Sequence, residues 1–138
     1  MANGTDFLRQ AGAIPVRGGR ICLITSSNGK RWIIPKGAIE ADQTAGEAAL
    51  QEVWEEAGLV GKLRPQPVGS YLYEKYGGTC HVTVFLMEVT EVAQEWPERE
   101  LRERTWVSLA GALHRIEDPT LADLVRSAFR KKTPARIA

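Results

Sequence analysis

The chain has 138 residues, 43% hydrophobic and 25% charged, with a net charge of +1. That length can bury one proper core, so a single domain over residues 1–138 is expected, with flexible termini at 1–8 and 130–138. The balanced charge excludes a disordered chain and a strongly basic nucleic-acid binder, and no apolar run reaches the ~18 residues of a membrane span.

In chain order, "AGAIPV" and "RICLITSS" around "RGG" predict a hairpin, and "RWIIP" after "SNGK" a further strand. The loop "KGAIEADQ" follows. Thr44 with Glu47 three residues on fits a capping box and Gly58 a stop, which predicts a helix from Thr44 to Ala57. Ala49, Leu50, Val53, Trp54 and Ala57 form its expected core face, with Glu52, Glu55 and Glu56 opposite. "PVGSYLYEKY" and "TCHVTVFLMEVTEV" predict an antiparallel pair, "TWVSL" a last strand, and Asp118-Pro119-Thr120 the start of a helix with an apolar stripe from Leu121 to Phe129. Mixed strands and helices imply a sheet covered by helices.

Cys22 and Cys80 match no metal or redox spacing and are expected to be buried, reduced thiols. The N-terminal residues lack a basic-then-apolar leader pattern, so a cytoplasmic protein is expected. His81 and His114 have no companions at ligand or triad spacing.

The three glutamates are the chemically informative feature. Like charges a turn apart repel by a few tenths of a kcal/mol, and a divalent cation would offset that; hard oxygen donors favour magnesium or manganese. A solvated acidic stripe is the commonplace alternative. Lys36, just upstream, would suit a phosphorylated substrate beside such a metal.

From Gly37 to Leu59, "GAIEADQTAGEAALQEVWEEAGL" resembles the Nudix box, G-x5-E-x7-R-E-U-x-E-E-x-G-U with U aliphatic. Gly37, Glu52, Val53, Glu55, Glu56, Gly58 and Leu59 fall in register. The family's first glutamate is Gln43 here and its arginine Gln51, so a neutral hydrogen bond between the two is expected where the family could place an ion pair. The resemblance implies an α+β fold, a mixed β-sheet sandwiched between helices. It also implies hydrolysis of a diphosphate bond, with the Gly37 carbonyl, Glu52, Glu55 and Glu56 holding Mg2+ (or Mn2+).

In this family the general base can be a box glutamate or one from a later loop. "PERELRER" offers Glu98, Glu100 and Glu103; Glu100 is the expected choice, against the alternative that all three are solvated partners of neighbouring arginines.

"TSSNGKRWIIPKG" resembles the diphosphoinositol polyphosphate and diadenosine polyphosphate branch of the family. It implies several phosphates held by Lys30, Arg31 or Lys36. Tyr71, Tyr73 and Lys75 share one strand face, where Tyr73 could stack on a base and Lys75 meet a phosphate, while Tyr71 reads as sheet packing. The expected partner is thus a small phosphorylated molecule, with no nucleic acid and no membrane, from a monomer or homodimer. The alternative is a catalytically weakened Nudix-fold binding or sensor module, for which Gln43 and Gln51 would be the sign of lost catalysis.

Overall fold

The computed structural model describes residues 7–75 and 77–132. Among them lie strands β1 (Leu8–Arg17), β2 (Arg20–Thr25), β3 (Trp32–Ile33) and β4 (Lys36–Ala38), then helix α1 (Ala45–Ala57). Strands β5 (Leu59–Leu63), β6 (Gly69–Lys75), β7 (Gly78–Val92) and β8 (Arg104–Val107) follow, with helices α2 (Leu109–Arg115) and α3 (Pro119–Lys132) at the end.

All eight strands join one mixed sheet whose spine is β3-β2-β1-β7-β5; β4 pairs with β1, β6 with β7 and β8 with β2. The β1–β7 pairing is parallel, from Leu8 opposite Cys80 to Val16 opposite Glu88, and the other pairings are antiparallel. Period-two alternation sends side chains to two cores. Ile21, Leu23, Val82, Val84 and Leu86 pack beneath α2 and α3 with Leu121 and Val125. Cys22, Ile24, Met87 and Val89 point the other way, toward Val53 and Ala57 of α1. The sheet is therefore a layer between helices. Both cysteines are buried and free, and burial pushes the Cys22 thiol up to about 12.

The helix limits follow local chemistry. Thr44 accepts from the Glu47 N–H at 3.0 Å while the Glu47 carboxylate accepts from the Thr44 N–H at 2.9 Å. Gly58 stops α1 in the left-handed region, φ 69°, where a side chain is disfavoured. At the start of α3 the Asp118 carboxylate accepts from the Thr120 N–H at 2.9 Å.

The structure corrects several expectations. Lys36–Ala38, expected in a loop, is a strand because it pairs with Gln10–Gly12 of β1. β5 lacks an alternating signature and exists because β7, at 15 residues, is long enough to pair with it as well as with β6. Leu50 and Trp54 are not core: they are 37% and 38% exposed, while Ala48 is buried. At about 100° per residue the buried arc runs from Ala48 through Ala49 to Ala57, so Glu52 and Glu56 fall within it and the two large residues at its margin. Leu8 is already strand, held opposite Cys80, and residues 130–132 are the last turn of α3. The rest of the expected flexible termini, residues 1–6 and 133–138, lies outside the described residues, as does Tyr76. Among the described residues no helix is long and apolar enough to cross a membrane.

Thr44→Ala removes one half of the capping box and is expected to lower unfolding free energy by about 1 kcal/mol, measured by urea denaturation.

Candidate active site

The last four carbonyls of a helix have no partner within it, and in α1 each one finds a donor from later in the chain. Trp54 O accepts from the Gly58 N–H at 3.0 Å and Glu55 O from the Glu98 N–H at 3.0 Å. Glu56 O accepts from the Trp96 indole N–H at 3.1 Å, and Ala57 O from Arg104 Nη1 at 2.7 Å. The Arg104 guanidinium stacks on the Trp96 ring at 4.1 Å. A loop over residues 93–103 is thereby sealed onto the end of α1 that carries the glutamates.

Glu52 lies directly against Gly37: a Cβ at residue 37 would sit 2.2 Å from the Glu52 carboxyl carbon, so the close approach needs glycine. Glu56 is 7% exposed. Its Oε1 accepts from the Lys36 N–H at 3.1 Å, and its Oε2 lies 3.4 Å from Arg102 Nη2. Arg102 in turn meets Glu98 Oε1 at 3.0 Å and donates to Thr25 O at 3.0 Å. The expected neutral pair is present, with Gln43 Nε2 donating to Gln51 Oε1 at 2.5 Å. Gln51 then donates onward to Glu55 Oε2 at 2.9 Å, and Gln43 Oε1 accepts from the Glu40 N–H at 3.0 Å.

Beside this face opens a cleft of about 400 Å³, lined by Lys36, Gly37, Glu56 and Arg102 together with Arg31, Tyr73 and Lys75. Gln10, Trp32 and the Ser26–Asn28 turn also line it, and Tyr71, Glu117, Asp118 and Leu121 continue the wall toward α3. Lys36 Nζ sits 4.6 Å from the Tyr73 ring centre, and the Tyr73 hydroxyl donates to Gln10 Oε1 at 2.9 Å. Tyr71 is buried sheet packing, with its ring 6.2 Å from that of Tyr73.

Of the residues singled out in the sequence, Arg31, Lys36, Gly37, Glu56, Tyr73 and Lys75 gather at the cleft, with Glu52 beside Gly37 and Glu55 tied to Gln51. Glu100 does not join them. Its side chain is 91% exposed and lies 4.0 Å from Arg99, because residue 100 points away from α1 where residue 98 is bonded to it. Glu98 is the carboxylate of that loop which the fold brings to the others. Arg102 was missed as a site residue, since alternating charge in "ERELRER" gives one arginine no distinction over the next. Gln10, Trp32 and Asp118 carried no local signal either.

Burial raises the Glu52 carboxyl above its usual range, and the charges of Glu55 and Glu98 raise it further; a hydrogen bond with Glu56 and the charge of Arg102 work the other way. Burial also pushes Glu56 up to about 8, against the opposing pull of Arg102 and the Lys36 N–H. Burial lowers Lys36, with Glu56 opposing. Two carboxyls so disfavoured as anions are suited by a divalent cation, and carboxylate oxygens are the hard donors it prefers. Among the described residues no three His, Cys, Asp or Glu side chains converge on one point: Glu55 is engaged by Gln51 and Glu56 by Arg102. In donor chemistry the carboxylate set nonetheless fits such an ion.

A model of the NUDIX domain matches residues 6–128, and the chain belongs to the Nudix hydrolase family. Over 119 residues it is 34% identical to Nudix hydrolase 12, mitochondrial, of Arabidopsis thaliana, a match covering 80% of this chain and 55% of that protein. It is 33% identical over 114 residues to diphosphoinositol polyphosphate phosphohydrolase 3-beta of Bos taurus, covering 78% of this chain and 68% of that one. The chain thus spans about half the length of the plant relative. Its fold is similar to that of the C. elegans Ap4A hydrolase, with a TM-score of 0.77 at 18% identity, over 93% of this chain and all of the other.

Gly37→Ala puts a methyl group into the Glu52 carboxylate, the free end of a flexible side chain. Turnover is expected to fall roughly ten- to a hundredfold with little change in melting temperature, as steady-state kinetics and thermal denaturation would show. A folded-state Glu56 near 8, against an ordinary value of 4.5, means that the native protein holds that proton more tightly than the unfolded chain. Without divalent cation, the stability that Glu56 contributes is therefore fully present below about pH 4.5 and is lost as pH rises toward about 8. Glu56→Gln is expected to flatten that fall in a melting series run in chelator.

Proposed function

We propose that the chain is a metal-dependent pyrophosphohydrolase that cleaves a diphosphate bond in a small polyphosphorylated molecule. The observation carrying this reading is the buried Glu56, bonded by the Lys36 N–H and Arg102 at the edge of a cleft that also presents Arg31 and Lys75. Glu52, Glu55 and Glu56, with the Gly37 carbonyl, would hold one or more magnesium or manganese ions. When bound, such an ion neutralises diphosphate charge and lowers the pKa of the attacking water.

The chain's own residues do the rest. Arg31, Lys36 and Lys75 take phosphate oxygens, each cation offsetting part of the substrate charge. Tyr73, whose hydroxyl is bonded to Gln10, lines the cleft, and its ring takes a base or other planar group when Lys36 turns from it to a phosphate. Glu98, which shares Arg102 with Glu56, replaces Glu100 as the proposed general base that takes a proton from water. The bovine relative is a diphosphoinositol polyphosphate phosphohydrolase and the nematode neighbour an Ap4A hydrolase, which supports a dinucleoside polyphosphate or a diphosphoinositol polyphosphate as substrate.

The test is product release from a panel of diadenosine polyphosphates, diphosphoinositol polyphosphates, ADP-ribose and nucleoside triphosphates, with and without magnesium. Metal-dependent turnover of a polyphosphate, lost in Glu56→Gln, is the expected result. Binding without turnover of any compound would instead identify a binding module, with Gln43 and Gln51 as the departures to explain.

A further inference from the structure

Helix α1 carries four glutamates, at positions 47, 52, 55 and 56, and no lysine or arginine. Its own polar partners on the carboxylate side are neutral: Gln51 bonds Glu55, and Gln43 bonds Gln51. Positive charge for this face must therefore come from elsewhere in the fold. It comes from Arg102, whose side chain is only 11% exposed. Lys36 contributes its backbone N–H to Glu56 and a smaller share of positive charge, its ammonium lying over the Tyr73 ring.

The three partners of Arg102 belong to three different parts of the molecule. Nη2 faces Glu56 of α1 at 3.4 Å, Nε meets Glu98 of the 93–103 loop at 3.0 Å, and Nη1 donates to Thr25 O at the end of β2 at 3.0 Å. Glu103, next along, donates its N–H to Thr25 Oγ1 at 2.9 Å, so the backbone that bears Arg102 is itself pinned to β2. A planar guanidinium with donors on three nitrogens can span such a set, and a lysine ammonium on its flexible stem cannot hold all three in one geometry.

We infer that Arg102 is a positioning residue that supplies from the loop the counter-charge α1 lacks and ties Glu98 to Glu56 at the edge of the cleft. Because it occupies Glu56 Oε2, Arg102 also competes with any cation for that carboxylate. The two effects have opposite signs and separate positioning from mere structural support. Removing Arg102 leaves the carboxylates less compensated and more attractive to a divalent ion, yet it leaves Glu98 unanchored for the reaction.

This inference rests on the hydrolase reading for its kinetic arm alone. The experiment compares wild type, Arg102→Gln and Arg102→Lys in Mn2+ binding to the substrate-free protein, by calorimetry, and in kcat and KM on the best substrate of the panel. For Arg102→Gln the expected result is Mn2+ bound at least about threefold more tightly, kcat lowered at least about tenfold, and KM changed by less than about threefold. Arg102→Lys should keep near-native Mn2+ affinity but recover kcat only in part.

Mn2+ affinity unchanged or weakened in a folded Arg102→Gln would overturn the counter-charge role, and a rise in KM at constant kcat would make Arg102 a phosphate-binding residue instead. Should Arg102→Gln fail to fold, Arg102→Lys carries the test: a lowered kcat at near-native Mn2+ affinity supports the positioning role, and a native kcat rejects it. If no substrate turns over at all, the hydrolase reading fails while the Mn2+ comparison still decides the counter-charge.

Discussion

The site depends on how the C-terminal end of α1 is closed. A helix whose second half holds three acidic residues and no basic one is poorly suited to end in a protein interior, because its terminal carbonyls and those carboxylates both gather negative charge there. The 93–103 loop and the start of β8 resolve this with the Glu98 N–H, the Trp96 indole, and the guanidinium groups of Arg104 and Arg102. The groups that stop the helix are thus the neighbours of those that form the site.

The sheet supplies the opposite wall. β4 pairs with β1 at Gly37, which brings a residue without a side chain under the Glu52 carboxylate and directs the Lys36 N–H to Glu56. β6 pairs with β7 and presents Tyr73 and Lys75 to the same cleft, while the loop before α3 adds Asp118. Backbone groups within paired strands move little relative to one another, so the cleft is largely preformed on its floor. Its adjustable parts are long side chains: Arg31, Lys36, Lys75 and Arg102.

Much of this was legible in the sequence wherever the signal was local. The capping box at Thr44, the glycine stop, the hairpins around Gly18–Gly19 and Gly77–Gly78, and the stripe of α3 each depend on residues within a turn or two of one another. The Gln43–Gln51 pair was also readable, because two departures from one pattern fall where the side chains meet across a loop and a helix. Where the answer depended on a distant partner, local reading failed. Trp54 was assigned to the core on size and spacing, yet the small Ala48 and Ala49 let α1 lie close to the sheet and leave the larger residues outside. Glu100 was preferred to Glu98 on distance from a strand, whereas one backbone hydrogen bond to Glu55 decides which of them faces inward.

The sequence by itself determined the family, the three carboxylates and the helix that bears them, because spacing along 23 residues is a local property that no tertiary contact can alter. Only the tertiary structure decided that two of those carboxylates lie on the buried side of the helix, that Arg102 is their counter-charge, and that β4 places Gly37 beneath Glu52. Those outcomes rest on contacts between residues 15 to 77 positions apart. Each is fixed by which strands pair and which loop closes on which helix end, and no short window of sequence contains that information.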